Sequence, residues 1–186
     1  TEFENVPAPA LAALAAQRPV APGAQAVAIC QQRAAEKAHF QRCGVPCAPY
    51  AVLQSAADVA AAPARLLPGI LKTCTLGYDG KGQRNVRDAT ELAQAWQALG
   101  GVRCVLEQRL PLVREISVVL ARGRDGHIVS YAPLQNLHRD GILAVTQWPA
   151  QDVPPALQAQ ATDAARVIAD SLGYVGVLCV EFFVLE

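Results

Sequence analysis

Apolar and polar residues alternate along this chain in short blocks, and glycine and proline separate most of the blocks. Apolar residues that recur with the helical period predict helices, and short apolar or alternating runs predict strands. Helices are expected at 10–17, 24–43, 55–62, 88–99 and 155–172. Strands are expected at 50–53, 69–72, 84–86, 104–108, 115–121, 127–132 and 175–185. This order predicts a chain of mixed helix and strand.

Local signals mark the ends of several elements. The segment Gly44-Val45-Pro46 follows the second helix, as glycine and proline commonly do. Ser55 can cap the third helix, and either Asp88 or Thr90 can cap the fourth. The Asp125-Gly126 pair predicts a tight turn between two antiparallel strands.

Composition narrows the class of protein. Of the 186 residues, 52% are hydrophobic and 17% charged, which excludes a disordered chain and suffices for a buried core. Basic and acidic residues number 16 each, which argues against binding to nucleic acid by phosphate neutralisation. The most apolar stretch, 174–185, is shorter than the ~20 residues that cross a bilayer. No signal peptide is visible. We expect neither a membrane nor a nucleic acid as a partner.

Methionine and cysteine add two expectations. The chain has no methionine and begins with Thr1, which predicts a processed protein or a piece of a longer gene product. The six cysteines form no Cys-x-x-Cys pair and lie mostly in apolar surroundings, where a free cysteine behaves as a small hydrophobic residue. We therefore expect reduced thiols in a cytoplasmic protein, and a redox pair of Cys43 and Cys47 is the less favoured alternative.

The most informative motif is a lysine followed by a glycine-rich loop, KTCTLGYDGKGQ, at 72–83. The glycines let backbone N–H groups turn toward a phosphate, and Lys72 and Lys81 would add positive charge. The spacing matches neither the Walker loop nor the dinucleotide-binding glycine motif. A glycine-rich turn with solvated lysines is an equally good interpretation of the loop alone.

Two polar segments are weaker candidates. Glu107-Gln108 ends a strand, where a carboxylate and a backbone edge can bind a nucleotide. His138 lies in 136–141, which we expect to form a polar loop, and can donate to a phosphate or transfer a proton. A solvated strand end and a surface loop are the better interpretations when each segment is taken alone.

Glu181 lies within the apolar stretch 177–184, in a final strand that we expect to be buried. A buried carboxylate is costly unless it pairs with a cation or a metal ion, and Mg²⁺ binds carboxylates together with nucleotide phosphates. The alternative is a strand end at which Glu181 points to solvent.

In this order, the motifs resemble the ATP-grasp superfamily and, within it, the N5-carboxyaminoimidazole ribonucleotide synthase family. The resemblance spans nearly the whole chain and rests on 3–7, 29–33, 36–37, 77–83, 107–108, 114–117, 136–143 and 173–177. The sequences GYDGKGQ at 77–83 and NLHRDGIL at 136–143 are specific to this branch of the superfamily.

The resemblance implies a set of ATP-binding residues. They are Arg33, Lys72, Gly77, Tyr78, Asp79, Gly80, Lys81, Gly82, Gln83, Glu107, Gln108, Arg109, Leu110, Glu115 and His138. Arg33 and Lys72 would contact phosphates, and residues 77–83 would form a flexible lid over the triphosphate.

The other implied roles concern the base, the ribose and a metal ion. Residues 107–110 would line adenine, with Glu107 accepting its exocyclic amine. Glu115 would bind the ribose hydroxyls, and His138 would lie near the phosphates. Glu181 would be the first Mg²⁺ ligand, with Mn²⁺ as an alternative metal.

The implied fold is α+β, an ATP-grasp fold in which two α/β subdomains grip ATP. It predicts a linker and helix from the preceding domain at 1–46, a small lid subdomain at 47–103 and a truncated large subdomain at 104–186. The N-terminal domain and the C-terminal end of the family, with its second Mg²⁺ ligand, are expected to be missing. The chain alone is therefore expected to be inactive.

The implied activity is that of an ADP-forming ligase: carboxylation of 5-aminoimidazole ribonucleotide with bicarbonate, through carboxyphosphate, in purine biosynthesis. The implied partners are these small molecules and a second copy in a homodimer. One alternative is an ATP-binding module or degenerate relative without turnover. Another is a biotin-dependent carboxylase component or a formate-using transformylase, which the NLHRDGIL segment disfavours.

Overall fold

The computed structural model describes residues 1, 3, 5–77, 81–139 and 142–186. The helices in these residues are α1 (Ala8–Ala15), α2 (Ala24–Cys30), α3 (Arg33–Arg42), α4 (Ala56–Ala60), α5 (Ala89–Ala98) and α6 (Pro155–Ser171). The strands are β1 (Tyr50–Leu53), β2 (Gly69–Thr73), β3 (Gln83–Val86), β4 (Cys104–Gln108), β5 (Leu112–Arg122), β6 (Ile128–Ser130), β7 (Leu134–Arg139), β8 (Ile142–Gln147) and β9 (Gly176–Leu185).

The chain divides into two compact units. The central unit comprises Ile29–Arg42 and Pro46–Leu110. The terminal unit comprises Thr1–Ala28, Cys43–Val45 and Pro111–Glu186.

The central unit is built on an antiparallel sheet with the strand order β1-β4-β2-β3. Side chains alternate between the faces of a strand, so Leu71 and Leu106 lie on one face and Lys72 and Glu107 on the other. The leucine face belongs to a core that includes Leu53, Val59, Leu66, Val86, Leu92, Trp96 and Cys104. A fully buried leucine adds about 1.5–3 kcal/mol, so this core stabilises the pairing of β2 with β4.

The second face of this sheet packs against α3, where Ala34 contacts Val105 and Cys74. The sequence predicted one helix over 24–43, which is wrong because the helix is interrupted before Arg33. The Gln32 side chain accepts a hydrogen bond from the Ala35 amide (2.9 Å), and the Arg33 amide donates to the Cys74 carbonyl (2.9 Å). These two bonds begin a new helix at Arg33 and fix it beside the end of β2.

The terminal unit is built around β5. One edge of β5 pairs with β9, and the other edge pairs with β6 and β7, with β8 beyond β7. Helix α6 packs on β5 and β9, and Ile116, Val118 and Leu120 are buried on β5. Glu115 and Ser117 alternate with these residues and therefore lie on the opposite face.

Two predictions for the terminal unit are wrong. Residues 136–139 lie in β7, which pairs with β8, rather than in a polar loop; Asp140 and Gly141 of the predicted loop lie outside the described residues. This strand has a polar sequence because it contributes side chains such as Asn136, which lies opposite Glu115, to the polar face of the sheet. The final strand is not buried throughout, because its odd-numbered side chains are exposed while Val180 is buried.

Several other predictions are confirmed. Strands 50–53 and 104–108 form with the expected bounds, and β5 and β6 pair across the turn at 123–126. The Ser55 hydroxyl caps α4 and the Asp88 carboxylate, rather than Thr90, caps α5. All six cysteines are free.

None of the helices in the described residues is long and apolar enough to cross a membrane.

Gly69→Ala should destabilise the central unit, because β2 passes too close to its neighbours for a side chain. An added Cβ would lie 2.5 Å from the Leu66 carbonyl oxygen and 2.8 Å from that of Glu107. Overpacking of this kind costs about 1–3 kcal/mol of unfolding free energy, measurable by urea denaturation. At Gly23 an added Cβ meets nothing within 4 Å, so Gly23→Ala should cost much less. Equal stability of Gly69→Ala and the unaltered protein would contradict this packing.

Candidate functional site

A buried carboxylate between two lysines is the main polar feature of the central unit. Glu107 Oε2 lies 2.9 Å from Lys72 Nζ, and Glu107 Oε1 lies 3.2 Å from Lys37 Nζ. The pairing of β2 with β4 brings Lys72 and Glu107 together on one sheet face. Helix α3 packs on that face and contributes Lys37. The Lys37 ammonium also lies 5.3 Å from the centre of the Tyr50 ring. We call Lys37, Lys72 and Glu107 the lysine–glutamate cluster.

The charges in this cluster keep Glu107 ionised. Burial is the largest influence on the pKa of Glu107 and raises it, but Lys72 and Lys37 together outweigh burial, and the pKa lies below its ordinary value. Nearby Glu36 behaves oppositely, because burial raises its pKa more than Arg33 and Lys37 lower it. The cluster therefore has one more positive charge than negative and favours an anionic ligand.

Arg33 lies beside the two ends of the predicted lid. Its Nε donates to the Thr73 carbonyl (3.4 Å), and its guanidinium lies 3.8 Å from where a Cβ of Gly77 would be. The Gly82 carbonyl accepts from the Thr73 amide (2.8 Å). Gly82 has a φ of +74° and leaves no space for a Cβ, which would lie 2.6 Å from Thr73 Oγ1.

The predicted lid is only partly described. Tyr78, Asp79 and Gly80 lie outside the described residues. Gly77, Lys81, Gly82 and Gln83 are described, and Gln83 begins β3 opposite Lys72. The structure therefore brings the two ends of the glycine-rich loop close to Lys72 and Arg33.

The predicted adenine segment continues from Glu107 along the end of β4. The Gln108 amide donates to the Pro49 carbonyl (2.9 Å), and the Arg109 amide donates to the Pro68 carbonyl (3.0 Å). Gln108 and Leu110 are half-buried and Arg109 is exposed. These two bonds hold the segment in place next to the lysine–glutamate cluster.

The terminal unit contains a second polar group of residues, on the sheet face opposite α6. Glu115 Oε2 lies 2.7 Å from His138 Nδ1, so the structure brings together the predicted ribose and phosphate residues. Asn136 donates to the buried Ser117 hydroxyl (3.2 Å) and accepts from the Thr146 hydroxyl (3.2 Å). This chain of hydrogen bonds fixes β5, β7 and β8 at the positions that present Glu115 and His138.

Glu181 lies on the same sheet face. It is exposed and lies on β9 opposite Ser117 of β5, two residue pairs from the pair of Glu115 and Phe183. No group of three or more His, Cys, Asp or Glu side chains among the described residues could hold a metal ion. The sequence argued for a metal ion from a buried carboxylate, and that premise is wrong because Glu181 is exposed. An exposed carboxylate oxygen is still a ligand type that Mg²⁺ accepts together with phosphates and water.

Sequence reasoning did not assign a role to Lys37. The signal was present, since Lys37 follows Arg33 by four residues and the two share a helix face. Ser117, Asn136 and Thr146 were also missed, because a hydroxyl or an amide in a strand indicates little until the pairing of the strands is known.

Comparison with known proteins identifies the class. The chain belongs to the ATP-grasp family, whose ATP-grasp domain matches residues 38–186. It is similar to the N5-carboxyaminoimidazole ribonucleotide synthase of Pseudomonas aeruginosa, with 42% identity over 186 residues that cover all of this chain and 51% of the relative.

Solved structures support the same family assignment. N5-carboxyaminoimidazole ribonucleotide synthetase from Thermus thermophilus matches all of this chain and 50% of its own, with a TM-score of 0.92 and 38% identity. The Aspergillus clavatus enzyme with ADP and 5-aminoimidazole ribonucleotide matches all of this chain and 48% of its own, with a TM-score of 0.87 and 26% identity. The chain spans about half the length of the curated relatives it matches. The expected ATP-grasp fold and the resemblance to this synthase family are confirmed.

Glu107→Gln should destabilise the central unit strongly, because it leaves two buried ammonium groups without a carboxylate. Breaking a buried ion pair by removing one partner costs about 3–5 kcal/mol. The folded pKa of Glu107 is lowered, so its stabilising contribution is present above the unfolded pKa of about 4.3 and is lost as the pH falls through the folded pKa. Thermal unfolding should therefore show a large difference from the unaltered protein at pH 7 that narrows toward pH 3.

The matched control for this measurement is Glu91→Gln, which removes a half-buried carboxylate that pairs with the exposed Arg87 on the surface of the same unit. It should lower the unfolding temperature much less. A Glu107→Gln protein as stable as the control at pH 7 would contradict the role given to the cluster.

Proposed function

We propose that this protein is an ATP-dependent carboxylase of 5-aminoimidazole ribonucleotide. ATP would phosphorylate bicarbonate to carboxyphosphate with release of ADP, and the substrate amine would then take the carboxyl group with release of phosphate. The product is N5-carboxyaminoimidazole ribonucleotide, in purine biosynthesis. The observation that carries the proposal is that Lys72, Glu107 and the two ends of the GYDGKGQ loop lie together on an ATP-grasp fold.

Lys72 and Arg33 are proposed to bind the nucleotide phosphates. Lys72 is held by its partner Glu107 near the start of the loop, and Arg33 lies beside Gly77 at that point. Both cations can donate charge-assisted hydrogen bonds to phosphate oxygens. Phosphoryl transfer depends chiefly on positioning and on neutralising charge, so lysine and arginine suffice without a nucleophilic side chain.

Residues 107–110 are proposed to line adenine, with the ionised Glu107 accepting from the exocyclic amine. Glu115 is proposed to bind the ribose hydroxyls, and His138, 2.7 Å from Glu115, to lie near the phosphates. The contact between these two side chains supports a shared role, since each restricts the orientation of the other.

The glycine-rich loop is proposed to close over the triphosphate. Carboxyphosphate is labile in water, and closure of a loop keeps solvent away from such an intermediate. The positive φ of Gly82 and its close approach to Thr73 support a hinge at that end of the loop.

Glu181 is proposed to hold Mg²⁺, with Mn²⁺ as an alternative. When bound, the metal ion would offset the negative charge of the nucleotide phosphates. Glu181 would supply one carboxylate oxygen from the exposed face of β9. The hydrogen bond from Asn136 on β7 to Ser117 on β5 would keep that part of the sheet rigid.

Four properties of the whole protein are also proposals: its subdomains, its oligomeric state, its location and the kind of ligand it binds. We propose a small lid subdomain and a large subdomain, preceded by a linker and helix. The expected bounds of 47–103, 104–186 and 1–46 differ from those of the two compact units, because β4 pairs inside the sheet of the central unit. The family resemblance supports a homodimer in the cytoplasm. The equal numbers of acidic and basic residues support small molecules rather than nucleic acid as ligands.

Lys72→Met in the full-length gene product should reduce ADP release by about 100-fold or more, because a phosphate ligand is lost while the side-chain stem is kept. ADP release with Mg·ATP and bicarbonate is measured with and without 5-aminoimidazole ribonucleotide. Release should depend on the ribonucleotide in the unaltered protein. Arg124→Gln, which changes an exposed residue in the turn of 123–126, should leave the rate unchanged. Release that ignores the ribonucleotide would contradict the proposed substrate.

Glu181→Gln should raise the Mg²⁺ concentration needed for half-maximal ADP release by at least about tenfold, since it removes a charged ligand. Asp163→Asn, an exposed carboxylate on α6, serves as the control and should not change that concentration. An unchanged Mg²⁺ dependence in Glu181→Gln would exclude Glu181 as a ligand.

A further inference from the structure

The ammonium group of Lys72 is involved in two interactions, an observed one with Glu107 and a proposed one with a nucleotide phosphate. In the structure it pairs with Glu107 at 2.9 Å, and the proposed function requires it to bind a nucleotide phosphate. A carboxylate that is 5% exposed cannot lose its cation without compensation, because an unpaired buried charge is costly. A second cation must therefore remain with Glu107 if Lys72 is to turn toward a ligand.

Lys37 has the geometry of that second cation. Its Nζ lies 3.2 Å from Oε1 of Glu107, whereas Lys72 contacts the other oxygen, so the two lysines do not compete for one acceptor. The Lys37 side chain is 10% exposed and that of Lys72 is 15% exposed. The Tyr50 ring beside the Lys37 ammonium and the helix that carries it hold Lys37 in place.

We propose that Lys37 is a positioning residue of the nucleotide site: it stays paired with Glu107 while Lys72 leaves that carboxylate to bind a nucleotide phosphate. Lys37 thereby keeps Glu107 ionised in the loaded state. The inference rests on the proposed function, because it takes the nucleotide roles of Lys72 and Glu107 from it.

The surroundings of Glu107 determine what happens without Lys37. Charged or titratable groups surround Glu107 on three sides. Strand β2 carries Lys72, and helix α3 carries Lys37, Glu36 and, further away, Arg33. Cys47 precedes β1, and Tyr50 lies on β1. Of the cations, Lys37 and Lys72 contact the carboxylate. Without Lys37, the departure of Lys72 would leave the buried Glu107 carboxylate without a contacting cation.

The sign of the effect follows from linkage. In the unaltered protein Glu107 stays ionised before and after binding, so nucleotide binding takes up no proton on this group. In Lys37→Met the pKa of Glu107 would rise when Lys72 leaves, and binding would take up as much as one proton. A bound state that holds the extra proton loses affinity as the pH rises through its pKa, by up to about tenfold per pH unit for one proton.

The test is isothermal titration of the full-length gene product with Mg·ADP, in two buffers of different ionisation enthalpy at each pH from 6 to 8. These data give the dissociation constant and the number of protons taken up. Lys37→Met should take up more protons than the unaltered protein and lose affinity more steeply with rising pH. Lys37→Arg, which keeps the charge, should restore the proton count. Arg65→Gln, an exposed change in the same unit, controls for the loss of one positive charge.

A uniformly weaker Lys37→Met with the proton count of the unaltered protein would show a merely structural lysine and overturn the inference. Failure of the unaltered protein to bind Mg·ADP would instead overturn the proposed function, and the inference with it. If Lys37→Met does not fold, ¹⁵N spectra of the lysine ammonium groups in the unaltered protein decide, with Lys37→Arg used for assignment. Mg·ADP should shift the Lys72 signal and leave that of Lys37 in place, and the reverse result would overturn the inference.

Discussion

The rest of the central unit depends on the ion pairs between the buried carboxylate of Glu107 and the ammonium groups of Lys37 and Lys72. They set the end of β4 relative to β2, and they fix α3 above the sheet through Lys37. Burial raises the pKa of this carboxyl, and the two ammonium groups lower that pKa by more. A buried ion pair adds little net stability over apolar packing, so the cluster is better explained by its use than by its contribution to folding.

The alternation of side chains along strands explains why the candidate residues gather where they do. In each unit one sheet face carries mainly leucine, isoleucine or valine, and the candidate polar residues lie on the other face, which in the central unit also packs against α3. In the central unit that second face holds the lysine–glutamate cluster. In the terminal unit it holds Glu115, Ser117, Asn136 and Glu181. The residues of each group are thus brought together by strand register, although they lie far apart in the sequence.

Much of this could be predicted from the sequence, and the failures have physical causes. Strands such as 104–108 were found because they are apolar and bounded by glycine and polar residues. The break before Arg33 was missed because it depends on a bond to the distant Cys74 carbonyl. The strand pair around His138 was missed because its polar side chains face other polar side chains across the sheet. The role of Lys37 could not be read from the helix alone, since its partner Glu107 lies far along the chain on another element.

A structure of the full-length protein with Mg²⁺ and a non-hydrolysable ATP analogue would test the central claim most directly. The account predicts phosphate oxygens within hydrogen-bond distance of Lys72 Nζ, adenine beside 107–110, and Lys37 Nζ still paired with Glu107. A nucleotide bound away from Lys72 and Glu107, with both lysines still on the carboxylate, would contradict it.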